Sequence, residues 1–275
     1  MAIVDRPTVR SAPGQDSPSD PVQDSLELSI VVPARNEGEN VGALVQEIVG
    51  ALRGHVRFEM IFVDDASDDD SPRILAELMQ TIPELRVLRH PQRAGQSAAI
   101  RNGVRAARAP WVATLDGDGQ NDPRDLLSLI ARRDASEPDI RLFAGWRVHR
   151  SDSASKRWAS RFANALRARL LHDATPDTGC GTKLFERAAF MDLPYFDHMH
   201  RFLPALMHRD GWRTVSVPVN HRARTAGRSN YNNLQRAWVG ISDLRGVAWL
   251  IRRAARAPAR EVLRAEQQTM LENVD

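Results

Sequence analysis

Short apolar runs alternate with stretches of helical periodicity along the first half of the chain. Five runs are predicted as strands: Leu26–Val32, which Pro33 should stop, Phe58–Val63, Leu85–Leu88, Trp111–Leu115 and Ile140–Ala144. Helices are predicted after Asn40, which can cap the first of them, and over Ser71–Met79, Gln96–Ala107 and Pro123–Arg133. Strands that alternate with helices form a mostly parallel sheet with helices on both faces. The chain is therefore predicted to be an α/β protein.

Three of the predicted strands end in polar clusters. These clusters are Pro33–Glu37, Asp64–Ser67 and Asp116–Asp118. Ligands of such sheets bind in the crevice beyond the carboxyl ends of the strands. We therefore expect the three clusters to converge on one crevice.

Asp116 and Asp118 are the candidate metal ligands. The intervening glycine lets the chain turn sharply, and two carboxylates one residue apart suit Mg²⁺ or Mn²⁺ held together with substrate phosphates. A plain surface turn is the alternative, because Asp-Gly is a common turn signal. A calcium loop of the EF-hand type is excluded, because its sixth and twelfth positions, which need Gly and Glu, hold Asn121 and Leu127.

Composition limits the classes of partner. The chain of 275 residues, 42% of them hydrophobic, can hold one sizeable domain with an extension. A formal net charge of +3 is too small to indicate nucleic-acid binding. Between Trp212 and Arg256, however, arginine is frequent and Asp243 is the single acid. This stretch predicts phosphate groups or an anionic membrane surface as the partner, with a merely solvated basic face as the alternative.

The cysteine content and the hydropathy bear on the compartment. The single cysteine, Cys180, excludes an internal disulfide, fits a reducing compartment and is predicted to be a packed residue, not a nucleophile. Residues 1–24 lack the apolar core of a signal peptide and are predicted to be disordered. The sequence contains no run of about 18 apolar residues, so no membrane-spanning helix is predicted.

Several motifs occur together in a characteristic order. They are Ile30–Glu37, Val63–Asp68, Gly95–Gly103 and Leu115–Gln120, followed by Gly145–Arg147, Ser160–Asn164, Asp177–Phe185, Val217–Arg222 and Thr225–Tyr231. In this order the chain resembles the family-2 glycosyltransferases, which have the Rossmann-like nucleotide-sugar (GT-A) fold. The later motifs resemble the polyprenyl-phosphate branch, which includes dolichol-phosphate mannose synthases and bacterial undecaprenyl-phosphate sugar transferases.

The resemblance implies roles for individual residues. The donor nucleotide sugar would be bound by Pro33, Arg35, Glu37, Asp65, Gly117, Arg224 and Ser229. The divalent metal, Mg²⁺ or Mn²⁺, would be held by Asp116, Asp118 and Gln120. The acceptor phosphate would be met by Arg147, Lys156, Arg157 and Ser160, and catalysis would rest on Asp118, Arg147 and Arg161. For Arg147 the alternative is an ion pair with a surface acid, and for Lys183 the alternatives are phosphate and solvent.

The chain departs from the family at two positions. Arg35 stands where the family often has Tyr, and Asn230 stands where it usually has Lys. The Glu-Asp pair that supplies a catalytic base in many relatives is missing, and His200 and His221 are predicted to be structural. A lipid phosphate is already ionised near neutral pH, so such an acceptor needs no base.

The implied function is that of an inverting transferase. It would move a hexose-type sugar from a nucleotide-diphosphate donor to polyprenyl (dolichyl or undecaprenyl) phosphate for cell-envelope glycan or glycolipid synthesis. A family-2 transferase acting on a glycan or other hydroxyl is the alternative. A nucleotidyltransferase would usually carry a Gly-rich phosphate-binding loop directly after the first strand. It is disfavoured, because no glycine follows the first predicted strand before Gly38. A non-catalytic nucleotide-binding or adaptor module is disfavoured by Asp116, Asp118 and Arg147 together.

The implied domain organisation has four parts. Residues 1–25 would be a disordered leader, 26–230 the GT-A catalytic domain, 231–265 amphipathic interfacial helices and 266–275 a tail. The protein would be cytoplasmic and peripheral on the cytoplasmic face of the membrane, with room for a separate membrane-protein partner. Packing of the C-terminal helices on the α/β core is the alternative to membrane contact.

Overall fold

The fold is taken from a computed structural model. It describes residues 26–148, 167, 169–171, 173, 175–222 and 233–254, with the side chains of the last segment described from residue 240 onward. The predicted leader at 1–25 and the predicted tail at 266–275 lie outside the described residues.

One seven-stranded sheet organises the described chain. Its strands are β1 (Leu28–Ala34), β2 (Phe58–Asp64), β3 (Leu85–Arg89), β4 (Trp111–Thr114), β5 (Ile140–Arg147), β6 (Lys183–Glu186) and β7 (Arg213–Val219). Their order across the sheet is β3-β2-β1-β4-β6-β5-β7. Strands β1 to β4 pair in parallel, as do β5 and β7, whereas β6 runs antiparallel to both β4 and β5. The predicted mostly parallel α/β sheet is confirmed.

Helices cover both faces of this sheet. They are α1 (Gly38–Leu52), α2 (Ser71–Leu78), α3 (Gln96–Ala106), α4 (Asp125–Asp134), α5 (Arg187–Asp192), α6 (Leu203–Arg209) and α7 (Asn233–Arg252). Successive side chains of a strand point to opposite faces. Accordingly Ile30 and Val32 of β1 pack in one core cluster with α1 and α4, and Val31 packs in the other with α3, α5 and α6.

Two sequence predictions about the first strand and helix are wrong. Strand β1 continues through Pro33 to Ala34 and is not stopped at Pro33. Asn40 lies inside α1 and does not cap it; its side-chain amide donates to Glu37 Oε2 at 2.7 Å. The helix begins two residues earlier than Asn40, at Gly38, where Asp69 accepts a hydrogen bond from the Gly38 N–H at 2.8 Å.

The C-terminal helix α7 packs on the core through one side. Val247 is buried, and Leu244, Ala248 and Ile251 pack against the cluster that contains α5 and α6. Trp249 and Ile241 are 54% and 46% exposed. Core packing therefore accounts for one side of α7 and leaves two large apolar side chains in solvent. Among the described residues, no helix is both long and apolar enough to cross a bilayer.

Candidate active site

A cavity of about 460 Å³ opens at the carboxyl ends of β1, β2 and β4. Parallel neighbours bring these ends to one edge of the sheet, so the three predicted polar clusters converge as expected. The predicted site residues that line the cavity are Pro33, Arg35, Glu37, Asp65, Asp116, Gly117 and Asp118.

The turn after β4 presents the two candidate metal ligands. The Asp116 N–H donates to Asn121 Oδ1 at 2.8 Å, which closes the turn, and Gly119 takes a left-handed φ of 71°. Asp118 Oδ1 accepts the Gln120 N–H at 3.2 Å. Both carboxylates therefore project from a turn that is held by hydrogen bonds between its own backbone and side chains.

Two glycines allow very close approach around this turn. A Cβ atom on Gly117 would lie 2.9 Å from the Pro33 carbonyl oxygen. A Cβ atom on Gly181 would lie 2.1 Å from Asp116 Oδ2. The Asp116 carboxylate thus packs directly on the backbone of the loop before β6, in space that only glycine leaves free.

Asp116 carries an unfavourable charge in this setting. Burial and the neighbouring Asp118 charge raise the pKa of Asp116, and Lys183 and Arg147 counteract them only in part. Gln96 Nε2 donates to Asp116 Oδ1 at 3.0 Å. A divalent cation would relieve the repulsion, and the hard carboxylate oxygens are the donors that Mg²⁺ and Mn²⁺ prefer. The pair therefore fits such an ion.

The described residues do not complete a metal coordination sphere by themselves. Within the part of the chain that the structure describes, no group of three acidic, histidine or cysteine side chains is placed to hold a metal. Gln120, predicted as a third ligand, does not line the cavity; its Nε2 donates to the Arg222 carbonyl at 3.4 Å. An ion at Asp116 and Asp118 would therefore take further ligands from donor phosphates or water.

Lys183 is a buried cation on the cavity wall. It lies at the start of β6, and its Nζ donates to the Cys180 carbonyl oxygen. Burial lowers the pKa of Lys183, while Cys180 and Asp116 act to raise it. The alternative that Lys183 points to solvent is wrong. Cys180 is buried and free, and burial raises the pKa of its thiol, as expected for a packed residue.

Arg147, at the end of β5, is held by an acid thirty residues further along the chain. Its Nε lies 2.6 Å from Asp177 Oδ2, and its Nη2 lies 2.9 Å from Asp177 Oδ1. This bidentate pair raises the pKa of the guanidinium against the effect of burial. Asp177 is buried, so the partner of Arg147 is not the surface acid of the alternative interpretation.

Six of the predicted site residues lie outside the described residues. They are Lys156, Arg157, Ser160, Arg161, Arg224 and Ser229. Their roles in acceptor binding, catalysis and donor binding stay predictions.

His200 also lines the cavity. Its Nδ1 is 2.7 Å from Ser97 Oγ on α3, and burial together with the charge of Lys183 lowers its pKa to about 3. His200 is therefore neutral near pH 7 and a weak base. The structural role of His200 stays a prediction.

Sequence reasoning did not assign a role to several residues that line the cavity. These are Arg93, Gln96, Thr178 and Arg201. Gln96 is the first residue of α3 and belongs to the motif Gly95–Gly103. That motif is the sequence signal from which a role for Gln96 could have been inferred. Thr178 belongs to the motif Asp177–Phe185, whose contact with Asp116 depends on the antiparallel insertion of β6.

Comparison with known proteins identifies the family. Residues 29–193 match the family described as Glycosyl transferase family 2. Dodecaprenyl-phosphate galacturonate synthase of Rhizobium johnstonii is 35% identical over 246 residues, which cover 86% of this chain and 71% of that protein. Undecaprenyl-phosphate 4-deoxy-4-formamido-L-arabinose transferase of Edwardsiella ictaluri is 30% identical over 207 residues, which cover 74% of this chain and 62% of that protein. The chain thus spans less than three quarters of the length of either relative.

Solved structures share the fold at lower identity. The mannosyltransferase PcManGT from Pyrobaculum calidifontis, in complex with GDP-Man and Mn²⁺, gives a TM-score of 0.60 at 20% identity, covering 84% of this chain and 66% of that one. Glucosyl-3-phosphoglycerate synthase from Mycobacterium tuberculosis, in complex with Mn²⁺, UDP and phosphoglyceric acid, gives 0.62 at 18% identity, covering 86% of this chain and 82% of that one. The predicted GT-A fold is confirmed.

The family match covers β1 to β6 and hence the turns that carry Asp65, Asp116 and Asp118. The resemblance seen in the sequence, to glycosyltransferases of the polyprenyl-phosphate branch, is confirmed by the relatives. The chain belongs to glycosyl transferase family 2.

Proposed function

We propose that this chain transfers a hexose-type sugar, with inversion, from a nucleotide-diphosphate donor to a polyprenyl phosphate such as dolichyl or undecaprenyl phosphate. The product would serve cell-envelope glycan or glycolipid synthesis. The names of the relatives, a dodecaprenyl-phosphate synthase and an undecaprenyl-phosphate transferase, support this acceptor class.

One observation supports the donor side most strongly. Asp65, Asp116 and Asp118, from the ends of two different strands, line a single cavity of about 460 Å³. A nucleoside diphosphate needs a contact for its base and charge compensation for its phosphates. Asp65 provides an acceptor for the base, and Asp116 with Asp118 provides the place for a divalent ion. When bound, that ion would stabilise the charge on the departing diphosphate.

The basic residues of the cavity suit a negatively charged acceptor. Lys183 and Arg201 line the cavity, whereas Arg147 does not line it but pairs with Asp177, which directly precedes the cavity-lining Thr178. Arginine binds phosphate in a bidentate manner and keeps its charge at all accessible pH values. These cations would offset the repulsion between the acceptor phosphate and the donor diphosphate.

The chemistry needs no proton transfer. An oxygen of the acceptor phosphate forms a bond to the anomeric carbon, while the bond from that carbon to the donor diphosphate breaks and the nucleoside diphosphate leaves with the electron pair. A phosphate monoester is largely ionised near pH 7, since its second pKa is about 6. His200, whose pKa is about 3, would be a poor base for a hydroxyl acceptor.

The proposed location is peripheral, at the cytoplasmic face of the membrane. Trp249 and Ile241 expose apolar side chains on α7, and Arg253 lies over the Trp249 ring at 5.8 Å. Aromatic and arginine side chains on one helix are typical of contact with an anionic lipid interface. A separate membrane-protein partner is compatible with this arrangement.

A transfer assay tests the proposal. Purified protein with Mg²⁺ or Mn²⁺ is given labelled UDP- and GDP-sugars and either undecaprenyl phosphate, dolichyl phosphate or a soluble glycan. Label that enters the organic phase only when a polyprenyl phosphate is present would support the proposal. Label that passes to the glycan but not to lipid would favour the hydroxyl-acceptor alternative.

A further inference from the structure

Asp65 is held by side chains that do not line the cavity. His90, which follows β3, places its Nδ1 2.7 Å from Asp65 Oδ1. Asn102, on α3, places its Nδ2 2.9 Å from His90 Nε2. Asp65 and His90 are both buried. Because buried polar groups have to find their partners within the protein, this three-residue chain is a fixed part of the fold.

The direction of the hydrogen bonds follows from the chemistry of the groups. The Asn102 Nδ2 can only donate, so His90 Nε2 accepts and the imidazole proton sits on Nδ1. His90 Nδ1–H then donates to Asp65. Burial works to raise the pKa of Asp65, but the Ala94 N–H, the His90 ring and the Gly95 N–H together hold it below its ordinary value. Asp65 is therefore an ionised acceptor, as this direction requires.

Asp65 has little acceptor capacity left. Besides the His90 contact, Oδ1 accepts the Ala94 N–H at 2.7 Å, and Oδ2 accepts the Gly95 N–H at 2.9 Å. A carboxylate offers about four acceptor positions. The protein fills those on Oδ1, and one position on Oδ2 of this cavity-lining residue remains for a ligand.

We propose that His90 and Asn102 are positioning residues for donor recognition, which hold Asp65 so that its remaining acceptor position meets an N–H on the edge of the donor base. The inference rests on the proposed function, in which Asp65 contacts the nucleotide. A base edge with a ring N–H, as in uracil or guanine, fits this acceptor, whereas adenine and cytosine present a ring-nitrogen acceptor there. Neither positioning residue lines the cavity.

The tautomer of His90 is the first test, and it does not depend on activity. Long-range ¹H–¹⁵N spectra of the ¹⁵N-histidine-labelled full chain, with His90→Asn used to assign the signal, should show the neutral Nδ1–H form. The Nε2–H form would overturn the inference, because His90 could not then donate to Asp65.

Nucleotide binding is the second test. His90→Leu removes the donor and should weaken the binding of UDP or GDP, measured calorimetrically with Mn²⁺, by about tenfold, as expected for a hydrogen bond to a charged group. His90→Asn, whose amide can take the place of the ring Nδ1–H, should stay within about threefold of wild type. The exposed His55→Asn, on the loop after α1, is the matched control and should bind as wild type does.

The outcomes separate the two claims. If wild type binds nucleotide and His90→Leu binds equally well, the positioning role is overturned and the proposed function stands. If wild type binds neither UDP nor GDP, both are overturned. Should His90→Leu fail to fold, Asn102→Ala replaces it, and unchanged binding in that variant would overturn the role of Asn102 and the chain it completes.

Discussion

At the scale of single residues, the approach of Asp116 to Gly181 is the tightest feature of the site. An added Cβ at Gly181 would lie 2.1 Å from Asp116 Oδ2, so Gly181→Ala must displace a candidate metal ligand. Displacement of a reacting geometry by about 1 Å can cost a hundredfold in rate. We expect Gly181→Ala to lower kcat by about a hundredfold, as measured in the transfer assay.

A second glycine substitution provides the control. Gly50 lies in α1 with open space around its position. Because alanine favours a helix over glycine by about 1 kcal/mol, Gly50→Ala should keep full activity and raise the Tm slightly. Equal activity in the two variants would contradict the claim that position 181 sets the place of Asp116.

The sequence predicted the cavity-lining acids but not the partner of Arg147. Asp65, Asp116 and Asp118 follow apolar runs directly, so the strand pattern alone brings them to one edge of the sheet. Asp177 lies thirty residues beyond Arg147 and reaches it only because β6 inserts between β4 and β5. Local pattern carries no information about such a pairing.

At the scale of elements, Pro33 shows why a local rule failed. Proline usually stops a central strand because it cannot donate to the ladder. In β1, however, Val31 is the last residue that pairs with β4. On the other side, the Ala34 carbonyl accepts a hydrogen bond from the N–H of Asp65, which follows β2. The backbone nitrogen of Pro33 therefore points toward the side of β4, whose pairing with β1 has already ended at Val31. The missing N–H of proline thus removes no hydrogen bond between the strands. The extension of β1 then places Ala34 and Arg35 at the cavity.

Strands β6 and β7 were not predicted, for a related reason. Lys183–Glu186 has only four residues and follows a Gly-rich turn, and Arg213–Val219 begins with the exposed Arg213 and contains Pro218. Their strand conformation comes from pairing with β4 and β5, which are distant in sequence. The first five strands could be predicted because each contains a largely apolar run of its own.

The contact between α3 and β1 gives a test at this scale. An added Cβ at Gly103 would lie 2.4 Å from Val31 Cγ1 in the buried core. Overpacking of this kind costs about 1–3 kcal/mol, so Gly103→Ala should lower the free energy of unfolding by that amount in urea titrations.

The compensating change is available on the facing strand. In the double variant Gly103→Ala with Val31→Ala, the clash with Val31 disappears and only the milder contact with Val63 Cγ2 at 3.2 Å remains, so the two losses should be strongly non-additive. Additive losses would contradict the packing described for α3.

A second test concerns the loop between β4 and α4. Asp122 accepts hydrogen bonds from Arg124 at 2.6 Å and lies 2.9 Å from Arg222 after β7, which lowers its pKa to about 2. Because the pKa of Asp122 is lower in the folded protein, its ionised carboxylate stabilises the fold at pH values above its ordinary pKa near 4. This stabilisation is lost as the pH falls toward 2. We expect Asp122→Asn to remove that part of the pH dependence.

Urea unfolding between about pH 2 and pH 6 measures this effect. Asp192→Asn, at the exposed end of α5, is the control and should retain the wild-type pH dependence. An identical pH dependence in Asp122→Asn and wild type would show that the Arg124 and Arg222 contacts do not hold the loop.

At the scale of the whole molecule, the cavity lies at one edge of the sheet. The side chain of Trp249 is exposed on α7, close to Arg253. If this helix meets a lipid surface, Trp249→Ala should weaken binding to vesicles containing anionic lipid by about tenfold, or about 1.4 kcal/mol. Vesicle co-sedimentation at low and high salt measures it. Met79→Ala, which removes a 44% exposed apolar side chain after α2, should bind as wild type does, and equal loss in both variants would contradict a specific role for α7.

The central claim is that Asp118 and Asp116 bind the donor diphosphate through a divalent ion while a polyprenyl phosphate accepts the sugar. The most direct measurement is the transfer of labelled sugar to undecaprenyl phosphate by wild type and by Asp118→Ala, with Mn²⁺ and with chelator. We predict a loss of at least about a thousandfold in the variant and in chelator, comparable to removal of a principal transition-state interaction. A loss of less than about tenfold, equivalent to about 1.4 kcal/mol, would contradict the account.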